Sequence, residues 1–455
     1  MIPLKRFFTV VLILLFYSGH AWGDEFRLVP SIGAKEEFNS NILMVTGAQG
    51  INRDFVSIFS PGIEMVDRSD RLDTDLSAQL DRVDYSHYRE LSATNQAYNG
   101  KFLYRATPLL NISAGAGYSI NSNPSLDYGS TSAIQPGTIV TFSTTSNPPG
   151  PSPSDPGSSE TGQTGTNQNN NGQASQSIPA SIVPPPVVSL PVKRFTSSLF
   201  TDYQLSEKTS VVTSYSFATD IYEQPTYRDM SHDVNAGLVY DLGKYLSALK
   251  GRVNVDYNAF YLSDSRTFST SCTVGISRDF DEVWSVSIDG GISRTWTEVF
   301  AIVYSQNTPT SLIAVQERQN NADWGSVAKV SLNYRGERLQ GNLAYVRDIS
   351  LAPGLNGVAE QNFYLITTQY RLTYEFSALL TTSYTTYKSN PSTFSGQIID
   401  QRTFDGNAGI RYQFSPDTAV DVSYEYTLIR YPASDANAPR QLVFIGVRTQ
   451  FPFLE

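Results

Sequence analysis

Cysteine is almost absent from this chain of 455 residues, in which Cys272 is the only one. No intrachain disulfide can therefore form, and no site built from several cysteines can bind a metal. Histidine is also scarce: beyond residue 23 only His87 and His232 occur. We interpret both as strand-end residues rather than catalytic groups, because no spacing of ligand residues is typical of a zinc or facial-triad site.

Charge is the second scarcity. Charged residues make up 17% of the chain, against about 25% in a typical soluble domain. The 33 Lys and Arg are outnumbered by 43 Asp and Glu, for a net charge of −10. This balance argues against a nucleic-acid partner, because phosphate backbones are bound by clustered cations.

Long apolar runs are missing too. Beyond residue 23 no run approaches the 18 residues that a spanning helix needs, so a membrane could be crossed only by strands. The N-terminal run Phe7–Tyr17 follows Lys5 and Arg6 and precedes Ala21-Trp22-Gly23. This order is typical of a secretory signal peptide. We expect residues 1–23 to direct Sec-type export and to be removed near Gly23.

What the chain does contain is alternation. Residues 251–262 read GRVNVDYNAFYL, in which Val253, Val255 and Ala259 alternate with Arg252 and Asn254. Successive side chains of a strand point to opposite faces, so this segment has one apolar and one polar face. The pattern recurs at 110–120, 195–205, 211–221, 230–240, 284–292, 324–334, 364–376, 404–414 and 420–428.

The connections between these segments alternate between short and long. Tight turns are predicted near Asp67–Arg71, Thr107–Pro108, Ser206–Lys208, Asp241–Tyr245, Asp279–Glu282, Arg335–Glu337, Ser377 and Ser415–Asp417. Longer polar connections are predicted at Glu37–Arg53, Tyr88–Asn95, Asn121–Pro191, Tyr222–Thr226, Ser263–Arg266, Glu298–Ala322, Ser350–Glu360, Lys388–Gln401 and Tyr431–Pro439. We predict an all-β fold for residues 24–455: a closed antiparallel transmembrane β-barrel of about 18 strands (16–18) with short periplasmic turns and long extracellular loops.

Strand length favours a membrane. Ten residues at about 3.3 Å each, tilted by about 40°, rise by about 25 Å, which matches the apolar band of such a barrel. The polar row of GRVNVDYNAFYL would then face an aqueous lumen and the apolar row would face lipid. Aromatic residues at strand ends are predicted to form interfacial girdles; they are Tyr203, Tyr240, Trp284, Trp296, Tyr334, Tyr374 and Tyr426.

Residues 121–191 differ in composition. They contain 12 of the 24 prolines and no Lys or Arg. A segment rich in Pro, Ser, Gly and Asn cannot bury a core, so we expect a disordered extracellular loop between two strands. It could act as a lid or plug, or it could be a solvated surface loop.

The predicted lumen row holds the candidate functional residues. They are Lys101, Arg105, Arg194, Asp202, Arg252, Asp256, Asp289, Lys329, Asp348, Arg371, Glu375, Arg411, Asp421 and Glu425. Rings of charge can set ion selectivity; alternatively these side chains pair with one another as solvated wall residues. We find no phosphate-binding glycine loop and no nucleophile elbow, and expect neither enzymatic activity nor a cofactor.

The first part of the expected mature chain resembles a known family. Glu36–Ile42 reads EEFNSNI, and Asp54–Ile63 reads DFVSIFSPGI before a strand at Leu72–Leu80. These elements are similar to those of the type 2 family of β-barrel porins in Gram-negative bacteria. The resemblance covers about 80 residues and implies an outer-membrane barrel. It also implies a link to exopolysaccharide or exosortase systems, with which some relatives are encoded.

Three functions follow as hypotheses. The first is an outer-membrane porin-like channel for passive passage of small solutes. The second is a conduit or accessory of exopolysaccharide export that works with periplasmic partners. The third is a structural, surface-exposed barrel without transport. The expected partners are outer-membrane lipid or lipopolysaccharide; oligomeric state and solute are left open.

Overall fold

Eighteen strands form a single closed sheet. The computed structural model describes residues 25–44, 52–122, 192–223, 226–262, 265–308, 311–351, 358–389, 399–432 and 435–453; the predicted signal peptide and residues 123–191 of the predicted disordered loop lie outside them. The strands are β1 Glu25–Asn39, β2 Asp54–Arg68, β3 Leu72–Tyr85, β4 Ala93–Thr107, β5 Leu110–Asn121, β6 Val192–Ser206, β7 Thr209–Glu223, β8 Thr226–Asp241, β9 Leu249–Tyr261, β10 Ser265–Asp279, β11 Trp284–Thr308, β12 Ser311–Arg335, β13 Leu339–Leu351, β14 Val358–Arg371, β15 Phe376–Ser389, β16 Ile399–Ser415, β17 Thr418–Tyr431 and β18 Ala436–Gln450.

Every strand pairs antiparallel with its neighbours in chain order, and β18 pairs with β1 to close the ring. The predicted antiparallel barrel of about 18 strands is thus confirmed. A 3₁₀ helix at Arg89–Leu91 joins β3 to β4. Among the described residues no helix is long and apolar enough to cross a membrane.

The two faces of the wall differ as the alternation predicts. On β9, Val253 and Val255 are 45% and 46% exposed, whereas Arg252 is 6% exposed. Since inter-strand partners share a face, the register carries this assignment around the ring. Large apolar side chains project outward, and most charged and hydroxyl side chains of the strands project inward.

The ends of the barrel also differ. Short turns lie at the end of the barrel where β1 begins and β18 ends; they are 69–71, 108–109, 207–208, 280–283, 336–338, 372–375 and 416–417. The connection 242–248 is the longest at this short-turn end. The opposite, long-loop end carries the connections at 40–53, 86–92 and 122–191. The predicted alternation of short and long connections is present, with the exceptions that follow.

The predicted connection Glu298–Ala322 is wrong. β11 and β12 each run for 25 residues, and the pairing continues without a shift from Trp284↔Tyr334 to Gln306↔Leu312. The segment contains the apolar, β-branched runs FAIVY at 300–304 and LIAV at 312–315, which favour strand rather than loop. The connections predicted at Tyr222–Thr226 and Ser263–Arg266 are also short, because β7 and β9 continue to Glu223 and Tyr261.

A second correction concerns the predicted turn at Ser377. The turn lies at 372–375, where Leu372 N and Thr373 N donate to the carbonyl oxygen of Phe376. Ser377 is instead in β15, and Tyr374 lies in the turn rather than in a strand row. The apolar alternation continues through the turn, which conceals the break in the sequence.

Two adjacent glycines on β11 have opposite surroundings. A Cβ on Gly291 would overlap the carbonyl oxygen of Cys272 on β10, whereas a Cβ on Gly290 would meet nothing within 4 Å. Gly291 lies on the inward row and Gly290 on the outward row. The close approach of β10 and β11 therefore requires the absence of a side chain at Gly291 alone.

We predict that Gly291→Val destabilises the folded barrel by about 1–3 kcal/mol or more, because the added atoms force the strands apart. Gly290→Val is the matched control and should be neutral, since its side chain would enter open space outside the wall. Urea unfolding in detergent, followed by the heat-dependent shift of the folded band in gels, measures both. Equal stability of the two variants would contradict the assignment.

Candidate functional site: the inner wall and its mouth

Thirteen of the fourteen candidate residues lie on inward rows of the wall. They are Lys101, Arg105, Arg194, Asp202, Arg252, Asp256, Asp289, Lys329, Asp348, Arg371, Arg411, Asp421 and Glu425. Glu375 does not: it lies in the exposed turn 372–375, where its carboxylate accepts a hydrogen bond from Thr373 Oγ1 at 3.0 Å. Its placement in the lumen row was wrong because the turn was predicted two residues too late.

An ion pair spans two strand spacings on the inner wall. Arg252 Nη2 on β9 lies 2.7 Å from Asp289 Oδ2 on β11 and 2.5 Å from Ser287 Oγ. Gly275 on β10 lies between them in the register, and a Cβ there would overlap Asp289 Oδ1. The glycine thus leaves the space through which the guanidinium reaches the carboxylate.

Further charges surround this pair. Asp289 is the inter-strand partner of Lys329 on β12. The ammonium group of Lys329 interacts electrostatically with Asp233, Asp256, Asp289 and Asp348. Six charged side chains from β8, β9, β11, β12 and β13 therefore form one group, which we call the inner charge cluster: Asp233, Arg252, Asp256, Asp289, Lys329 and Asp348.

Asp256 in the inner charge cluster is held by uncharged donors. Asn235 Nδ2 donates to its Oδ1 at 2.6 Å, and Ser271 Oγ lies 3.3 Å from its Oδ2. These bonds come from the strands on either side of β9. They fix the direction of the carboxylate.

Several other inward charges are paired with a side chain on a neighbouring strand. Arg194 binds Asp220 at 2.7 and 2.9 Å, and Arg411 binds Asp421 at 2.7 and 3.3 Å. Arg105 Nη2 lies 2.6 Å from Asp73. These contacts favour the interpretation of mutually paired wall residues, because bidentate Arg–carboxylate pairs cancel much of the field that each charge alone would create.

The inner wall is not equally accessible around the ring. On β10 the inward row of Ser, Thr and Gly is buried throughout, for example at Thr267 and Thr273. On β3, β4 and β6 the inward side chains of Ser77, Asn99 and Ser198 are exposed. The solvated part of the interior therefore follows β3 to β6, and the wall around β10 is packed.

At the long-loop end the first connection folds inward over the wall. Ile42 is fully buried among Val56, Val83, Tyr85 and Leu91, which belong to β2, β3 and the 3₁₀ helix. Met44 packs on Ile429 and Ala438, which lie on inward rows of β17 and β18. The segment 40–44 thus covers the inner side of the seam where the first and last strands meet.

Hydrogen bonds hold this segment, which we call the mouth segment, in place. Asn41 Nδ2 donates to the Pro439 carbonyl oxygen at 2.9 Å. Gln441 N donates to Ser40 Oγ at 2.8 Å, and Ser40 N donates to the Gln441 carbonyl oxygen at 3.0 Å. Asn39 Oδ1 accepts from Asn41 N at 3.0 Å. The sequence Asn39-Ser40-Asn41 therefore joins the two terminal strands.

Asp54 fixes the adjoining loop. Its carboxylate accepts bonds from the backbone N–H groups of Phe55, His87 and Tyr88 at 2.8, 2.9 and 3.1 Å. The His87 ring Nδ1 lies 2.7 Å from Asp54 Oδ1. His87 is thus structural at the end of a strand. His232 projects outward with Nδ1 3.0 Å from the Tyr215 hydroxyl. Its predicted strand-end position is wrong, because β8 begins at Thr226 and His232 is its seventh residue of sixteen.

Several inward charges escaped sequence reasoning. Asp220 and Asp233 lie on the polar rows opposite the apolar rows 211–221 and 230–240, so the alternation already placed them inward. Asp405 is the same case on β16. Arg440, 1% exposed and 2.9 Å from Glu425, followed a segment predicted as a connection, and its face could not be assigned.

No group of three His, Cys, Asp or Glu side chains in the described part of the chain is arranged to hold a metal ion. The carboxylates of the inner charge cluster are separated by Lys329 and Arg252, which occupy the position that a cation would take.

Comparison with known proteins assigns no family. No family model matches the chain, and no curated protein matches it. Solved structures with similar folds include OccAB4 of Acinetobacter baumannii, at 9% identity, TM-score 0.42, and 93% and 98% coverage of the two chains. OpdO of Pseudomonas aeruginosa is 10% identical, with a TM-score of 0.42 and coverage of 96% of this chain and 99% of OpdO. The outer membrane protein OpdK of the same organism is 6% identical, with a TM-score of 0.38 and coverage of 94% of this chain and 99% of OpdK. Likenesses of this size assign no function to the chain.

We predict that Asn41→Ala lowers the free energy of unfolding by about 1–3 kcal/mol, because the partly buried Pro439 carbonyl loses its side-chain donor. Asn99→Ala, at an exposed inward position of β4, is the control and should change stability by under about 0.5 kcal/mol. Urea titration in detergent compares them. A loss at Asn99 as large as that at Asn41 would contradict a role for the mouth segment in closing the seam.

Proposed function

We propose that the chain is an outer-membrane channel through which small hydrophilic solutes pass passively. The observation that carries this proposal is a closed ring of 18 paired strands whose outward rows are apolar and whose inward rows are polar. Hydrocarbon around such a wall leaves no backbone N–H unpaired, and barrels of 16–18 strands enclose an aqueous lumen. The N-terminal signal supports export by a Sec-type route with cleavage near Gly23.

Aromatic rows support the membrane position. Trp284 and Tyr334 pair near the short-turn end with ring centroids 4.6 Å apart. Tyr364 lies 4.8 Å from Tyr345 and 6.2 Å from Tyr384, near the middle of β13, β14 and β15. Rows of outward aromatics are typical of outer-membrane barrels.

The paired inner charges favour weak ion selectivity. Where arginine and carboxylate partners lie within 3 Å of each other, as at Arg194–Asp220 and Arg411–Asp421, a passing ion meets little net field. The inner charge cluster has four carboxylates and two cations and is the exception. We therefore expect a small preference for cations, set by this cluster.

A polysaccharide conduit, to which the type 2 resemblance points, is the second candidate. Sugar transit favours a continuous track of aromatic side chains along the lumen. In the middle of the described strands the inward aromatics are Phe200, Phe363 and Phe444, on β6, β14 and β18. These strands are not neighbours, so the described residues favour small solutes over a sugar track.

Single-channel recording in planar bilayers tests the proposal. Purified, folded protein should give ohmic conductance steps in KCl that malto-oligosaccharides do not block. Folded protein without any steps would rule out a channel and favour a structural barrel. Concentration-dependent block by oligosaccharide would favour the conduit instead. Protein that stays soluble without detergent would contradict the membrane position.

We predict that Asp256→Asn combined with Asp348→Asn lowers the K⁺/Cl⁻ permeability ratio by roughly twofold, because two negative charges leave the inner charge cluster while its cations remain. Asparagine at position 256 can still accept the bond from Asn235. Reversal potentials in a KCl gradient measure the ratio. Glu375→Gln is the control, since that carboxylate lies in the turn outside the wall, and it should leave the ratio unchanged.

A further inference from the structure

Cations on the outward face are concentrated at one end of the barrel. Eight outward Lys and Arg lie in the half of their strands next to the long-loop end: Arg82, Lys193, Arg228, Arg266, Arg347, Lys388, Arg402 and Arg430. A ninth, Arg294, is the eleventh of the 25 residues of β11. In the half next to the short-turn end, the described outward rows otherwise contain Arg278 alone. We call the nine the outer cation belt.

Carboxylates balance only part of this belt. The described outward acids at the same level are Glu36, Asp84, Glu298, Glu360 and Asp400. Ion pairs between these acids and the belt include Arg82–Asp84 at 2.6 Å, Arg347–Glu360 at 2.7 Å and Arg402–Asp400 at 3.9 Å, and Glu298 is the inter-strand partner of Arg266. Among the described residues nine outward cations thus face five outward acids, although the whole chain has a net charge of −10.

Arg294 is the most specific member of the belt. Its guanidinium carbon lies 5.2 Å from the ring centroid of Trp296 and 5.2 Å from that of Trp324. Trp324 is its inter-strand partner on β12 and is 63% exposed. No ion pair of Arg294 occurs within the described residues. A guanidinium held between two indole faces keeps donors free for a planar or tetrahedral anion.

The position of Arg294 along the barrel axis indicates which part of a membrane would surround it. It lies ten residues along β11 from Trp284 of the short-turn girdle, which for a tilted strand corresponds to about 25 Å, the height of the apolar band. Ile288 and Ile292 fill the outward row between them. Arg294 is therefore at the level of lipid headgroups, beyond the hydrocarbon.

We propose that the outer cation belt binds phosphate groups of lipid headgroups in the leaflet at the long-loop end, with Arg294, Trp296 and Trp324 as its central site. The inference rests on the proposed membrane position and deepens it by naming the lipid chemistry and the residues. Each cation near an anionic surface adds to the attraction, and tryptophan prefers the interface. The belt also orients the barrel, because only one rim suits an anionic leaflet.

Lipid binding by matched variants tests this inference. Protein refolded free of native lipid in dodecyl maltoside is titrated with diphosphoryl lipid A or with the dephosphorylated lipid, and complexes are counted by native mass spectrometry. Wild type should prefer the diphosphoryl form, and added salt should weaken that preference. Arg294→Gln should weaken binding of the diphosphoryl form about fivefold and leave the dephosphorylated form unaffected.

Arg278→Gln is the matched control. Arg278 is also outward and also lies over an aromatic ring, that of Phe280 at 4.8 Å, but at the opposite rim; it should leave binding unchanged. Equal affinity of wild type for the two lipids, or equal losses in the two variants, would overturn the inference. Conductance measurements separate this inference from the proposed function. Protein that conducts but shows no preference for the phosphorylated lipid would contradict only the lipid site. Protein that prefers the phosphorylated lipid but does not conduct would contradict only the channel.

Discussion

The pairing of every strand with both neighbours is the constraint on which the rest depends. In hydrocarbon an unpaired backbone N–H costs several kcal/mol, so a sheet there must have no free edge. Here the ring closes between β18 and β1, whose pairing runs from Ser31↔Gln450 to Asn39↔Leu442. Beyond β18, Phe453 still exchanges backbone bonds with Leu28. The seam is thus paired over the full height of the wall.

Closing the ring forces the polar rows inward, where they must bind one another or water. The inward serine and threonine side chains of β10 are small, so they fit on the concave side of the wall. Charged side chains then pair across neighbouring strands, and across two strand spacings where Gly275 allows it. The composition of the interior therefore follows from the curvature of the wall as well as from its wetness.

The sequence alone was sufficient for the strand number and for the face of most side chains, because both follow from period two and from turn residues. Val253 and Arg252 illustrate this, because the alternation of apolar and polar residues around them predicts that they lie on opposite faces. The side-chain partners on the inner wall could not be predicted from the sequence. Arg252 binds Asp289 because β9, β10 and β11 pair in one register, and 37 residues separate the two side chains. Glu375 was misplaced because the apolar alternation continues through the turn at 372–375. The long β11–β12 hairpin was missed because residues 298–322 were interpreted as a polar connection, although they include apolar runs at 300–304 and 312–315.

The mouth segment also has a consequence for the order of assembly. Ser40 and Gln441 exchange hydrogen bonds across a separation of 401 residues, so no nascent or partly exported chain can contain this contact. Until the final strand arrives, β1 presents an open edge with nothing to cover it, and contacts of such sequence separation are intrinsically slow to form. That edge therefore needs protection from other molecules until β18 pairs with it.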